Sequence, residues 1–159
     1  MYLDGLSFLE EERDTWRPFE ALAGLPDPVL ERPVPAAHGW SGRDLMAHLL
    51  VWLEFALQAA RELAVGEASR TIDAVSAEWR SDGDAMNARL LAEQAGRPTA
   101  ELRRRFEELP GELRGYLTVV PETRWVKHPE HLRFFLAQTT EHYAEHEADL
   151  EAVLGAGRP

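Results

Sequence analysis

The stretch Thr139-Thr-Glu-His142-Tyr-Ala-Glu-His146 places two histidines four residues apart near the end of the chain. On a helix, side chains at this spacing lie on one face, so both imidazoles can reach the same metal ion. The surrounding apolar stripe also predicts that the pair points inward, at Leu132, Phe135, Thr139, His142, His146 and Val153. Solvated histidines, or a hydrogen-bonded pair inside a core, can have the same spacing. A metal site therefore requires a third ligand elsewhere in the chain.

An upstream segment supplies a third inward-facing histidine, His48. The sequence Ser41-Gly-Arg-Asp44 predicts a capping box at the start of a helix that runs to about residue 65 and ends at Gly66. His48 lies on the apolar stripe of this helix. Alone it would be read as a core histidine bonded to a backbone carbonyl. Opposite the inward pair, it completes a set of three neutral nitrogen ligands.

Three protein ligands with one open position are typical of a catalytic metal site, whereas structural zinc is usually closed by four ligands. Imidazole suits zinc, nickel, copper or iron, so the ligands do not select the metal. Each metal-bound imidazole also needs an acceptor for its other ring nitrogen. Asp44 and Asp149 have suitable helical offsets from His48 and His146, although a helix cap and a solvated surface residue are alternative roles for them.

The composition limits the other possible functions. The chain has 159 residues, which predicts a single domain, and its formal charge of −11 disfavours both nucleic acids and anionic membranes as partners. There are no cysteines, so disulfides, thiolate ligands and a cysteine nucleophile are excluded. The first residues lack a signal-peptide pattern, and no apolar run suffices to cross a bilayer. We therefore expect a soluble, cytoplasmic protein.

The remaining periodicity predicts an all-α four-helix bundle with extra short helices between its second and third helices. The first helix is expected over residues 4–23, kinked or split at Pro18, with the charged residues 10–13 facing out. Residues 24–40 read as a long loop over a functional site. Residues 71–80 can form a helix or an ordered loop, and a break near residues 81–84 precedes a helix over 84–94.

Two further helices complete the predicted bundle. Thr99 is expected to cap the first, which should kink or break at Pro110. In this helix the basic cluster Arg103-Arg104-Arg105 is expected to pair with nearby glutamates on a solvated face. A loop over residues 119–128 then leads into one final helix over residues 129–154.

Two of these stretches resemble the DinB-like superfamily of metal-binding four-helix bundles: residues 39–49, Gly-Trp-Ser-Gly-Arg-Asp-Leu-Met-Ala-His-Leu, and residues 139–146. The segment from Asp84 to Arg89 resembles a weaker family motif. The resemblance implies an up-down-down-up bundle whose three metal histidines are His48, His142 and His146. It also implies a divalent metal, zinc or nickel most often, frequent homodimers, and activation of a low-molecular-weight thiol such as bacillithiol or mycothiol.

Three functions fit these observations. The first is a metal-dependent transferase or hydrolase in which a thiol or water attacks a small electrophile. His38, His128 and His131 are candidates for proton transfer or substrate contact, and Trp40, Trp52 and Tyr143 are candidate pocket residues; each also fits a surface or core role. The second is a non-catalytic metal-binding or resistance protein, and the third is a bundle with a vestigial site. A fourth ligand such as Glu145 would favour the second or third.

Overall fold

The computed structural model describes residues 2–158, and the regular structure in that range is helical. The α-helices are α1 (Gly5–Trp16), α2 (Asp27–Leu30), α3 (Gly42–Val65), α4 (Arg70–Gln94), α5 (Thr99–Val119), α6 (Pro129–Gln138), α7 (Thr140–Glu145) and α8 (Glu147–Ala156). Short 3-10 segments cover Arg17–Gly24, Pro35–Ala37 and Glu122–Arg124. The predicted all-α class is confirmed. None of the helices within residues 2–158 is long and apolar enough for a membrane span.

Helix α3 is the centre of the bundle and packs against α4, α5, α6 and α8. It begins with the predicted capping box: Asp44 N donates to Ser41 Oγ at 3.0 Å, and Ser41 N donates to Asp44 Oδ2 at 2.9 Å. Such a cap typically stabilises a helix by about 1 kcal/mol. Because the carboxylate of Asp44 is engaged in the cap, this residue does not support His48. The helix ends at Gly66, as predicted.

Helix α4 contains the break that the sequence predicts. Asp82 has φ −162° and ψ 89°, which interrupts the helical backbone. Its Oδ1 then accepts a hydrogen bond from Ala85 N at 3.0 Å, so the same residue caps the second half of the helix. Residues 71–80, for which helix and loop were both open, are helical. The two halves of α4 are the extra helical pieces expected between α3 and α5.

The prediction of one continuous helix over residues 129–154 is wrong, because two residues interrupt it. Thr139 has φ −122° and ψ −105°, and its Oγ1 donates to Phe135 O at 2.6 Å. A threonine bonded back to the preceding turn competes with the helical hydrogen-bond pattern. His146 has φ −107° and ψ 8°, and separates α7 from α8. The histidine pair therefore lies on a short helix and at its C-terminal junction.

The first predicted helix divides near Pro18, as expected. Regular α-helix ends at Trp16, and residues 17–24 continue as a 3-10 helix. The expectation that residues 10–13 all face solvent is wrong for Glu12, which is buried. Leu6, an apolar residue of the same helix, is exposed. The position of Glu12 is explained by its partners Arg114 and Tyr143, which lie far away in the sequence.

Three smaller expectations are also corrected. Residues 24–40 contain helix α2 and a 3-10 turn, so they are not an unstructured loop. Thr99 is the first residue of α5 and Pro98 is its N-cap. Helix α5 does not break at Pro110 but runs through that buried residue, and a kink there stays a prediction.

The basic cluster on α5 pairs only partly as expected. Arg104 and Arg105 bind glutamates of their own helix, Glu108 and Glu112. Arg103 instead binds Asp27 and the carbonyls of Ala23 and Leu25, and so attaches α5 to the start of α2.

Candidate metal centre

Three imidazole rings from α3, α7 and the α7–α8 junction converge inside the bundle. One ring nitrogen from each of His48, His142 and His146 lies within 4.8 Å of the other two. The three ring centroids are 4.8 Å apart in every pair. His48 and His142 are buried, and His146 is mostly buried. The sequence thus correctly anticipates that these residues meet, while their role as metal ligands stays a prediction.

The buried position keeps the rings of His48 and His142 uncharged. Burial lowers the pKa of His48 to about 3, with a further lowering from His146 and a partial offset from Asp149. Burial likewise lowers the pKa of His142 to about 2, assisted by His48 and His146. Desolvation disfavours the imidazolium form in each case. Neutral imidazole is the form that binds a metal.

Asp149 orients the third histidine. Its Oδ2 lies 2.8 Å from His146 Nδ1, and both side chains are largely buried. A carboxylate can only accept here, so Nδ1 carries a proton, and in the neutral ring that a metal requires Nε2 has the free lone pair. Of the two aspartates considered from the sequence, the structure therefore brings Asp149, and not Asp44, to the histidines.

The donor set fits a divalent cation. Two nitrogens bound at 2.0–2.1 Å with tetrahedral angles lie roughly 3.3 Å apart. In the structure His48 Nε2 and His142 Nε2 are 2.9 Å apart, and the third nitrogen is within 4.8 Å of both. Small movements of the rings would suffice to bring all three around one ion. Within residues 2–158, no Asp or Glu belongs to this group; Glu145 is exposed at the cavity wall.

The histidines form part of the wall of a cavity of about 570 Å³. Aromatic side chains make up much of the same wall, including Trp40, Trp52 and Trp79. Trp40 packs against His48 and His146, with ring centroids 4.9 and 5.9 Å apart. A cavity of this volume is large enough for a small organic molecule. A ligand in it would lie directly against the three imidazoles.

The other candidates from the sequence divide into two groups. Trp40 and Trp52 line the cavity, as expected of pocket residues. His38 is exposed and lies 3.5 Å from Asp149 Oδ1. His128 and His131 stack on one another at the start of α6, away from the cavity. His131 Nδ1 lies 2.6 Å from Arg124 O, and His128 Nδ1 accepts from His131 N, so both have structural roles.

Tyr143, the last candidate, is fully buried and does not line the cavity. Several cavity residues carry no recognisable sequence signal: Trp79, Arg80, Asn87, Arg133 and Gln138. Each is a single residue on a helix face, without the regular spacing that identifies the histidines. Only the weak family motif from Asp84 to Arg89 indicated the region of Asn87.

Fold and site together define an all-α bundle with an internal three-histidine cluster open to a cavity. The chain belongs to the family described as mycothiol maleylpyruvate isomerase N-terminal domain, whose model matches residues 9–151. This family is part of the DinB/YfiT-like superfamily, so the resemblance drawn from the two histidine motifs is confirmed. Comparisons with curated proteins and with solved structures gave no match.

Proposed function

We propose that the protein is a metal-dependent enzyme in which His48, His142 and His146 hold one divalent cation and a thiol attacks a small electrophile. The observation that carries this proposal is the convergence of three imidazoles at the wall of a cavity. A cation held by three protein ligands keeps a position for a thiol or water, whose pKa it lowers. The family supports a link to mycothiol and a metal.

Side chains around the three histidines would orient the rings and shape the cavity in the proposed enzyme. Asp149 fixes the tautomer of His146, and Trp40 packs against two of the rings. Trp52 lies edge-on to His142, with ring centroids 6.2 Å apart. Aromatic side chains, including Trp40 and Trp52, make the wall beside the histidines largely apolar. An apolar environment strengthens electrostatic interactions with a developing charge.

The thiol has to come from outside the polypeptide, because the chain contains no cysteine. Mycothiol is our first candidate, on the basis of the family, and bacillithiol is the second. Zinc and nickel are the metals we propose first, since both accept imidazole ligands. Transfer of the thiol to the electrophile is favoured over hydrolysis because it follows from the same family link. A homodimer is proposed from the superfamily resemblance, and size-exclusion chromatography with light scattering would test it.

Metal content is the first test of the proposed site. Protein purified without an affinity tag should carry, or take up, about one equivalent of zinc or nickel by elemental analysis. His48→Ala should lose that equivalent and keep its helical circular dichroism. The matched control is His128→Asn, which removes a histidine outside the cluster and retains a side chain able to cap α6. Full metal occupancy in His48→Ala would show that the ligand assignment is wrong.

Thiol transfer is the second test. The metal-loaded protein should accelerate the reaction of mycothiol with a model electrophile, and removal of the metal by a chelator should abolish the acceleration. Bacillithiol and glutathione serve as comparison thiols. Stoichiometric metal binding without transfer from any of the three thiols would instead support a non-catalytic metal-binding protein. A third function, a bundle with a vestigial site, is favoured by one observation: the 2.9 Å contact between His48 and His142 already satisfies both nitrogens without an ion.

A further inference from the structure

Gln138 is a buried amide without a protein partner. It is the last residue of α6, only 7% of its surface is exposed, and it lines the same cavity as the histidines. Its side chain makes no hydrogen bond to any group within residues 2–158, although its amide is not sealed off from the cavity. Because the amide of this largely buried side chain is reached only from the cavity, its N–H and C=O groups are available to a ligand there.

Asn87 provides a second amide in the same wall. Its Oδ1 accepts a hydrogen bond from Trp52 Nε1 at 3.1 Å. The indole nitrogen can only donate, so the oxygen of Asn87 must face Trp52 and the NH₂ group must face away. Trp52 is itself buried beside His142. Because Trp52 is held in place there, its hydrogen bond fixes the orientation of the Asn87 amide. The free N–H donors of Asn87 therefore remain available to a molecule in the cavity.

The charged residues of the cavity differ from these two amides in exposure. Arg80, Arg133, Glu130, Glu141 and Glu145 also line the cavity, and all five are exposed. Charged groups of a ligand would therefore meet the outer, solvated part of the wall. Apart from the histidines, the buried and half-buried polar side chains of this wall include Gln138, Asn87 and Ser76, and all three are uncharged. Uncharged donors in this less exposed part of the wall match an uncharged acceptor, because an unpaired charge there would be costly.

We propose that Asn87 and Gln138 form an amide-binding subsite, which hydrogen-bonds an uncharged amide or carbonyl group of the molecule held at the three histidines. This inference rests on the proposed function insofar as that molecule is a thiol or its electrophilic partner. The amide of Asn87 donates to the carbonyl oxygen. The Gln138 amide, with its donor and acceptor both free, pairs with the same group or with the adjoining N–H.

Binding of two matched thiols tests the subsite directly. N-acetylcysteamine carries an amide, and 1-pentanethiol is a chain of similar length without one. Quenching of tryptophan fluorescence reports binding, since three tryptophans line the cavity. In metal-free and in cobalt-loaded protein, we expect the amide thiol to bind at least about tenfold more tightly, equivalent to about 1.4 kcal/mol. Gln138→Met and Asn87→Asp should each reduce this preference severalfold.

The substitutions are chosen to separate the subsite from general effects on folding. Gln138→Met keeps the length of the side chain, and Asn87→Asp keeps an acceptor for Trp52 while removing the N–H donors. Gln58→Met makes the same chemical change on the exposed face of α3 and should leave the preference unchanged. Thermal unfolding of each variant shows whether the fold persists.

A second comparison shows whether the bound amide belongs to the thiol or to the electrophile. Metal-loaded protein is given iodoacetamide or 1-iodopropane as the electrophile, with 1-pentanethiol as the thiol. The kcat/KM values for the two electrophiles are corrected for the uncatalysed rates and compared. If wild-type protein prefers iodoacetamide and this preference falls in Gln138→Met and Asn87→Asp, the subsite binds the electrophile. The proposal is overturned if wild-type protein shows no amide preference in either comparison, or if both variants retain it.

Failure of the subsite can be distinguished from failure of the proposed function. If the metal-loaded protein transfers no thiol, the enzymatic proposal fails, yet the fluorescence comparison in metal-free protein still decides the subsite. If transfer occurs without any amide preference, the subsite proposal alone fails.

Discussion

Tyr143 donates a hydrogen bond from its hydroxyl group to Glu12 Oε1 at 2.9 Å, and both side chains are buried. Arg114 binds the other oxygen of the same carboxylate, with its Nε 2.5 Å from Glu12 Oε2. This network joins α1, α5 and α7. Because α7 also carries His142, the network holds the short helix that presents one histidine of the cluster.

Breaking this network should destabilise the fold. Tyr143→Phe removes one hydrogen bond to a buried carboxylate and should lower the free energy of unfolding by about 1.5–3 kcal/mol. Glu12→Leu leaves Arg114 and Tyr143 without their shared partner, and we expect a loss of about 3 kcal/mol or more. Urea unfolding followed by circular dichroism measures both. Asp14→Ala, which breaks an exposed pair with Arg17, is the control and should change stability by less than about 1 kcal/mol.

The stability that Tyr143 confers on the fold should fall at alkaline pH. Burial, followed by the negative charge of Glu12, raises the pKa of Tyr143 well above its usual value, and Arg114 offsets this only in part. The unfolded chain therefore ionises near pH 10 while the folded protein keeps the proton, and stability falls as the pH rises above that value. Tyr143→Phe lacks this dependence. Its deficit relative to wild type should shrink between pH 8 and pH 11, and a constant deficit would contradict the assignment.

Removing Asp149 should weaken metal binding without removing a ligand. Its carboxylate orients His146 through Nδ1, and loss of such a partner typically reduces metal affinity about 10- to 100-fold. Competition between Asp149→Ala and a chelating dye for zinc gives the change in dissociation constant. His38→Ala removes the exposed contact on the other carboxylate oxygen and should alter the affinity less than twofold. Equal affinities for Asp149→Ala and wild type would show that His146 is positioned by other contacts.

The connection between α3 and α4 should be sensitive to acid. Glu62 accepts hydrogen bonds from Ser69 Oγ at 2.7 Å, Thr71 N at 3.0 Å and Thr71 Oγ1 at 3.1 Å. Burial opposes ionisation of this carboxyl, but the hydrogen bonds lower its pKa overall. Its contribution is therefore present above the unfolded pKa, near 4.5, and is lost as the pH falls through the lower folded value.

Glu62→Gln tests this connection. At pH 7 the substitution should cost a few tenths of a kcal/mol, because solvent screens the partly exposed carboxylate. The difference from wild type should disappear at low pH, where both side chains are neutral. Amide hydrogen exchange near Thr71 should quicken in the variant at pH 7. Unchanged exchange there would mean that Glu62 does not hold the start of α4.

The sequence indicated features whose causes lie within a few residues. The capping box of Ser41 and Asp44 and the break near Asp82 depend on local hydrogen bonds, and both were predicted. The convergence of His48 with the later pair was predicted because each histidine lies on an apolar helical face. Apolar helix faces in a small bundle pack against one shared core, so histidines on two such faces lie close together.

Features that depend on distant contacts were missed. Glu12 lies within a run of charged residues, and its burial is explained only by distant partners, Arg114 and Tyr143, which follow 102 and 131 positions later. The interruption at Thr139 arises because its hydroxyl bonds to Phe135 O inside the core, which helical periodicity does not reveal. Asn87 and Gln138 are isolated polar residues whose significance depends on the cavity they line.

His146 lies at the junction between α7 and α8, so the direction of its imidazole depends on the angle at which these two helices meet. If the three histidines hold a metal ion as proposed, substitutions along α8 that alter this angle would change the coordination geometry while all three histidines remain in place. Preference for one transition metal over another could then be adjusted through residues that never touch the ion. A survey of ligand identities alone would overlook that kind of divergence between relatives.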